Sequence, residues 1–201
     1  MTWTTVAIYL SENWVEIAGF ITTVAGIWLT TKRSMLCWPV IVAADVLYLV
    51  VFYHAQLLSD ALLQAFFLVF TFYGWWNWRR GVRQDGEVRV VPLSARSLWI
   101  GLLAGAAGSF ALGILAKQLH AALPFLDATL TSFSLVASWW GARKHTANWQ
   151  LWIVVDVTYI GEYIYKDLQA TALLYAILVW LAALGLRDWK RAETKADQIA
   201  A

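Results

Sequence analysis

The chain has 201 residues, of which 61% are hydrophobic and 14% charged, whereas a soluble domain averages roughly 45–50% and about 25%. This composition excludes an ordinary soluble domain and indicates an integral membrane protein. The formal net charge of +2 is too small to indicate nucleic acid as a partner. The single cysteine, Cys37, excludes an internal disulfide and a cysteine-built metal site in this sequence. We expect it to be a small buried apolar residue.

Seven long apolar segments follow one another along the chain. Because about 20 residues cross the hydrocarbon core as a helix, each segment is predicted to span the bilayer, and residues 1–201 form one all-α membrane domain. The predicted spans are 14–31, 35–53, 61–78, 97–116, 125–141, 149–165 and 168–186. Four of these segments contain acidic residues. The acids are Glu16, Asp45, Asp127, Asp156 and Glu162.

The basic residues predict the orientation of the chain. If seven spans start outside, all but Lys117 and Lys166 of the 15 lysines and arginines face the inner side. The positive-inside rule therefore predicts an outer N-terminus, an inner C-terminus and a cytoplasmic tail at 192–201. No basic region precedes the first apolar segment, so no cleavable signal peptide is expected. The charged linker from Arg79 to Arg96 is interpreted as a solvated loop; a site for anionic lipid or a partner is the alternative.

An internal repeat appears when the chain is shifted against itself so that Asp45 falls on Asp156, a shift that we call the repeat offset. The other matched pairs include Trp28 and Trp139, Trp38 and Trp149, Tyr48 and Tyr159, Gly74 and Gly185, and Trp78 and Trp189. The repeats are predicted to be three-helix units at 12–80 and 124–191, joined by a linker helix at 97–116. Spans one and five would cross in the same direction, so this 3+1+3 arrangement is a parallel repeat, an architecture found in transporters.

Aromatic residues and one central acid form a stripe on two of the predicted spans. On the sixth span the stripe is Trp149, Trp152, Asp156, Tyr159 and Tyr163, with alternating spacings of three and four residues, which place them on one helix face. The second span repeats it with Trp38, Ile41, Asp45, Tyr48 and Phe52. Aromatic faces beside a carboxylate suit a flat cationic ligand. An intramembrane acid should also face the bundle interior, because exposing it to lipid costs about 2.5–3.5 kcal/mol.

Structural interpretations of these residues stay open. The aromatic side chains could form a packing seam or an interfacial belt, and Asp45 and Asp156 could simply bond polar side chains across helices. Gln64, one turn after Asp60, adds an amide for a ligand or for a neighbouring helix. Glu16 and Asp127 lie near span ends and are interpreted as boundary residues. Glu162 has Val51 as its counterpart and receives no assignment.

Catalysis has little support in this sequence. The three histidines, His54, His120 and His145, are isolated, and no metalloprotease, nucleophile-elbow or phosphate-loop motif is present. We therefore predict no catalytic residue, no metal and no cofactor.

Several motifs make the chain resemble the PnuC family of bacterial vitamin transporters over nearly its whole length. They are Pro-Phe-Leu-Asp at 124–127, Ser-Leu-Val-Ala at 134–137, Arg-Lys at 143–144, Asn-Trp-Gln-Leu-Trp at 148–152, Leu-Leu-Gln at 62–64, and Tyr-Gly-Trp at 73–75 with Trp78. The resemblance implies a fold like that of SWEET sugar transporters at full length, in the bacterial inner membrane. It further implies facilitated diffusion of a vitamin precursor, trapping by a cytoplasmic kinase, and a homotrimer. Trp149, Trp152 and Gln64 match family positions at or near the substrate.

The two central acids depart from the family pattern. Nicotinamide riboside members tend to carry asparagine where this chain has Asp45 and Asp156. A carboxylate can still attract a pyridinium, so nicotinamide riboside stays the first candidate, with thiamine as the alternative because its thiazolium is cationic. The predicted substrate-binding residues are Trp38, Asp45, Tyr48, Gln64, Trp149, Trp152, Asp156 and Tyr159. Proton coupling through the acids, and a membrane receptor or scaffold acting through the basic loop, are further alternatives.

Overall fold

The chain folds into an all-helical bundle in the computed structural model, which describes residues 14–54, 56, 58–81, 88–119, 123–165, 167 and 169–200. The described residues form seven helices: α1 (Trp14–Thr31), α2 (Cys37–His54), α3 (Leu58–Arg79), α4 (Ala95–Gln118), α5 (Pro124–Ala142), α6 (Ala147–Tyr165) and α7 (Gln169–Ala200). The side chain of Ser94 caps α4 by accepting from Ser97 N, and Pro124 occupies the first turn of α5, where its missing N–H costs nothing.

Each predicted span corresponds to a helix, and the last helix differs most from its prediction. The apolar segment stops at Leu186, but α7 continues to Ala200. The charged residues that end the apolar stretch do not end the helix, because residues 187–200 include no Gly or Pro and are rich in Ala, Lys and Arg. Residues 12 and 13 of the predicted first repeat, together with His120 and Lys166, lie outside the described residues, as do the side chains of Glu16 and Asp60.

Three of the helices in the described part of the chain are long and apolar enough to cross a membrane by length and hydropathy alone. They contain the segments Cys37–His54, Ala95–Gln118 and Thr171–Thr194. The same criterion does not select α1, α3, α5 and α6. The polar positions of α5 and α6 include Asp127, Asp156 and Glu162. A polar side chain lowers the hydropathy of a helix but can be buried against neighbouring helices.

The helices pack as two groups of three with one extra helix. In the first half α2 packs on α1 and α3, and in the second half α6 packs on α5 and α7. The halves meet where α3 packs on α5 and where α1 packs on α7. Among the described helices, α4 packs only on α5, where its glycines at 101, 105 and 113 receive the rings of Trp140, Phe133 and Phe125.

The loops within the two halves have the same backbone geometry. Arg33 (φ 56°) follows α1, and its counterpart at the repeat offset, Lys144 (φ 68°), follows α5. Gln56 (φ 60°) follows α2, and its counterpart Asp167 (φ 59°) follows α6. A left-handed residue just after a helix is a common way to satisfy its last carbonyl groups. Each of these interhelical connections thus contains one left-handed residue, at positions that match under the repeat offset.

Four tryptophans form the core where the halves meet. We call this end of the bundle the basic end, because it carries Lys32, Arg33, Arg143, Lys144 and Arg187. Trp38 meets Trp78 edge to face at 5.0 Å, and Trp149 meets Trp189 edge to face at 5.5 Å. Trp78 and Trp189 then join the two pairs at 5.6 Å.

Reciprocal hydrogen bonds fasten the same end. The indole N–H of Trp78 donates to Gly141 O, and that of Trp189 donates to Thr30 O, both at 3.1 Å. Thr30 and Gly141 are themselves counterparts at the repeat offset, so each half binds the other in the same way. Lys32 also forms an ion pair with Asp188 across the halves at 2.9 Å.

The interpretation of the charged linker as a solvated loop is wrong for its second part. Val88 and Val90 are buried in the tryptophan core, while Arg89 between them is exposed. Val91 N donates to Lys144 O, and His145 Nδ1 donates to Val91 O. Burial lowers the pKa of His145, so its ring is neutral at pH 7 and Nδ1 carries the proton. The alternating apolar residues of this segment cover the tryptophan core. The many charged residues of the linker had suggested a fully solvated loop instead.

Candidate functional site

The two central acids lie on the inner faces of equivalent helices but have different surroundings. Asp45, half-buried in the middle of α2, accepts a hydrogen bond from Thr71 Oγ1 of α3 at 2.7 Å. Asp156 of α6 is more deeply buried, with 4% of its surface exposed. Both placements agree with the high cost of an acid facing lipid.

Three tyrosines form a cluster beside Asp156. Tyr159 and Tyr163 stack on α6 at 5.8 Å, and Tyr175 of α7 lies 4.8 Å from the first ring and 5.1 Å from the second. Tyr175 is also an electrostatic neighbour of Asp156, and Tyr159 is within hydrogen-bonding reach of Ser134 on α5. The second half therefore combines a buried acid with three aromatic faces, which is the chemistry that attracts an organic cation.

The first half has a related but less polar arrangement. Tyr48 stacks on Phe52 at 5.8 Å, in the same way as Tyr159 on Tyr163. Tyr48 also packs against Gly19 of α1. Gln64 occupies the position in α3 that Tyr175 has in α7, and it is partly buried.

Trp38 and Trp149 are placed in the tryptophan core rather than beside the acids. They are 6% and 3% exposed, and their rings lie against Gly74 and Gly185, where any Cβ would overlap them. Trp152 is partly buried and packs on the edge of the same core. Trp149 and Asp156 are two turns apart on α6, so the helical rise puts about 10 Å along the helix between them.

Three of the predicted site residues carry buried polar atoms that have no hydrogen-bond partner within the described part of the chain. They are Trp38 Nε1, Trp149 Nε1 and Gln64 Oε1. The two indole nitrogens are equivalent positions of the two halves. Buried polar atoms are normally paired, so each of these two donors and this one acceptor is available to a polar ligand or to water.

Two residues of the site were missed at the level of sequence. Thr71, two turns after Gln64, lies on the same face of α3 and bonds Asp45. Tyr175 lies at the position that the repeat offset assigns to Gln64 and completes the tyrosine cluster. Tyr175 could have been found by carrying the offset through the third helix of each repeat, whereas the sequence offered for Thr71 only its place on the same helix face as Gln64. Glu162, left unassigned, is buried on α6, and Asp127 is partly buried near the start of α5.

Comparison with known proteins gives a consistent result. The family model described as "Nicotinamide mononucleotide transporter" matches residues 13–191. The nicotinamide riboside transporter PnuC of Escherichia coli is 25% identical over 203 residues, with 88% of this chain and 85% of that protein covered. The riboflavin/roseoflavin transporter RibM of Streptomyces davaonensis is 27% identical over 180 residues, covering 88% and 84%.

The fold also matches a solved structure. The crystal structure of the vitamin B3 transporter PnuC superposes with a TM-score of 0.76 at 20% identity, covering 96% of this chain and 87% of the other. The family model, together with the helical bundle and its apolar helices, identifies a multi-pass transporter of the bacterial inner membrane. This chain belongs to the nicotinamide mononucleotide transporter family, which includes PnuC, and its relatives are named as transporters rather than enzymes.

Proposed function

We propose that this protein takes up a cationic vitamin precursor, with nicotinamide riboside as the first candidate. The supporting observation is the set of buried, unpartnered polar atoms on Trp38, Gln64 and Trp149, in the same bundle as the buried carboxylate of Asp156. A polar ligand would satisfy these atoms, and the carboxylate and tyrosine rings would stabilise its positive charge. Asp45, Tyr48, Trp152 and Tyr159 complete the proposed site.

The proposed route is facilitated diffusion through a duplicated bundle. Helices α1–α3 and α5–α7 would be a 3+1+3 repeat related by an axis along the membrane normal, with residues 97–116 as the core of the linker helix. The reciprocal indole–carbonyl bonds and the matched left-handed residues support this duplication. The basic end would face the cytoplasm, together with the tail at 192–201. A cytoplasmic kinase would trap the product, and the chain would assemble as a homotrimer.

Thiamine is the second candidate, because two acids occupy the central positions. A carboxylate can accept hydrogen bonds from the aminopyrimidine and attract the thiazolium. The riboflavin/roseoflavin transporter among the relatives supports the idea that the substrate varies within this family.

Uptake into liposomes tests the proposed function. Purified protein should accelerate entry of radiolabelled nicotinamide riboside or thiamine without an ion gradient, and the uptake should saturate. The double variant Asp45→Asn with Asp156→Asn should weaken thiamine uptake more than nicotinamide riboside uptake if thiamine is the substrate. Entry no faster than into empty liposomes for both vitamins would contradict the proposal. A rate that depends on a pH gradient would replace facilitated diffusion by proton coupling.

A further inference from the structure

The two central acids match under the repeat offset, but the third helix of each half carries a different residue at the position that donates to Asp45. Thr71 of α3 donates a hydrogen bond to Asp45 at 2.7 Å. The repeat offset places Ala182 of α7 at the position of Thr71, and Ala182 is buried with 2% exposure. Alanine has no hydroxyl group, so the position equivalent to Thr71 offers no side-chain donor in the second half, and Ala182 itself packs in the tryptophan core.

The carboxylate of Asp156 is buried without a hydrogen-bond donor among the described residues. It is 4% exposed, and no hydrogen bond or ion pair to it is found among the residues that the structure describes. A buried carboxylate without a donor is strongly unfavourable unless a cation or other donors approach it. Asp45 already has such a donor and is less deeply buried, so the two acids have different capacities for a ligand.

The aromatic residues differ between the halves in the same direction. Beside Asp156 the cluster is Tyr159, Tyr163 and Tyr175, three electron-rich rings within 5.8 Å of one another. The equivalent positions of the first half hold Tyr48, Phe52 and Gln64. One tyrosine is thus replaced by an amide whose oxygen is buried without a partner in the described part of the chain, and this oxygen accepts a hydrogen bond rather than stabilising a positive ring.

We infer that the halves divide the recognition of one asymmetric ligand. Asp156 with Tyr159, Tyr163 and Tyr175 forms the subsite for its positively charged aromatic ring. Gln64 accepts a hydrogen bond from an uncharged donor group of the same ligand, such as a hydroxyl or an amino group. Asp45 is a positioning residue that Thr71 holds against α3. This inference rests on the proposed function and assigns different roles to residues of the same site.

The test compares each cationic vitamin with an uncharged analogue of nearly the same shape. The probes are nicotinamide riboside with its dihydropyridine form, and thiamine with its thiophene analogue. Binding to purified protein is followed by tryptophan fluorescence, and the measured quantity is the preference for the cation over its uncharged analogue. Asp156→Asn should lower this preference about tenfold or more. Asp45→Asn, which still accepts from Thr71, should change it by less than about threefold.

Two further pairs of variants keep the test independent of folding. Ala182→Ser restores a hydroxyl at the position equivalent to Thr71 and should lower the preference, whereas Ala182→Cys, similar in size and a weak donor, should not. Tyr175→Phe keeps an aromatic face and should retain most of the preference, while Tyr175→Leu should lose it. Only variants whose melting temperature and monodispersity equal those of the wild type enter the comparison.

The outcomes separate the two proposals. If the wild type binds none of the four probes, the proposed function fails and this inference fails with it. If the wild type prefers the cations but the two acid variants lose that preference equally, the functions of the halves are not divided and the inference alone is wrong. If Asp156→Asn weakens cation and uncharged analogue by the same factor, Asp156 is a structural acid and the inference is overturned.

Discussion

Single polar side chains in this bundle are satisfied in two different ways. Most threonine hydroxyls of the described helices donate to a carbonyl of their own helix, as Thr22 does to Ala18 O at 2.7 Å and Thr158 to Val154 O at 2.8 Å. Such a bond hides the hydroxyl from lipid without joining two helices. Thr71 instead donates across to the carboxylate of Asp45, so it links α3 to α2.

Replacing Thr71 tests this link. We expect Thr71→Ala to destabilise the protein by about 1–3 kcal/mol, because it removes a hydrogen bond to a charged group and leaves Asp45 without that donor. The measurement is the thermal unfolding of detergent-solubilised protein. Thr22→Ala is the matched control, since its hydroxyl bonds only its own helix, and it should lower stability less. Equal losses in the two variants would show that the bond to Asp45 contributes nothing to stability.

Two helix pairs approach each other closely because each has a glycine at the contact, Gly74 on α3 and Gly185 on α7. Gly74 lets α3 approach the ring of Trp38 on α2, and Gly185 lets α7 approach the ring of Trp149 on α6. Without water inside the bilayer, such van der Waals contacts are a main source of helix association. The α2–α3 and α6–α7 pairs are therefore sensitive to one added methyl group.

We expect Gly185→Ala to destabilise the bundle by about 1–3 kcal/mol, since the new Cβ overlaps the Trp149 ring and the helices must separate. Gly161→Ala is the matched control on α6, because its Cβ would meet nothing within 4 Å. In a helix this control should be neutral or slightly stabilising. Melting temperatures of the two variants decide the matter, and the prediction is wrong if they agree within error.

The two halves of the molecule contact each other at the basic end. The four tryptophans, the two indole–carbonyl bonds and the Lys32–Asp188 ion pair all lie there. The ion pair is exposed and contributes little, so packing and the buried indole bonds hold this end closed. Cys37 is completely buried in the same core.

The single cysteine provides a direct reporter of this closure. We expect Trp189→Phe to increase the rate at which a maleimide reagent labels Cys37, because the variant loses its bond to Thr30 O and part of the ring contact with Trp78. Mass spectrometry of the native protein in detergent measures this rate. Trp180→Phe on the same helix is the control, since Trp180 is 61% exposed, and it should label as the wild type does. An unchanged rate in Trp189→Phe would mean that the indole bond does not hold the end closed.

The predictability of the site differed from residue to residue. The inner position of Asp156 followed from the energetic cost of charge in lipid, and the shared helix face of Tyr159 and Tyr163 followed from their spacing. The contact of Thr71 with Asp45 did not, because it depends on how two helices are rotated and displaced relative to each other. The burial of Val88 and Val90 was also hidden, since a short apolar alternation among charged residues resembles an ordinary loop.

The sequence by itself determined the helical membrane class and the limits of most helices, because apolar length and helical periodicity are local properties that the bilayer enforces. It also predicts which positions of the two halves correspond, since the repeat offset is read from the residues themselves. Only the tertiary structure decided that Asp45 has a hydroxyl donor while Asp156 is buried with no donor among the described residues, and that Val88 and Val90 of the linker cover the tryptophan core. These outcomes depend on contacts between distant segments, and such contacts are set by the close packing of the whole bundle rather than by any single helix.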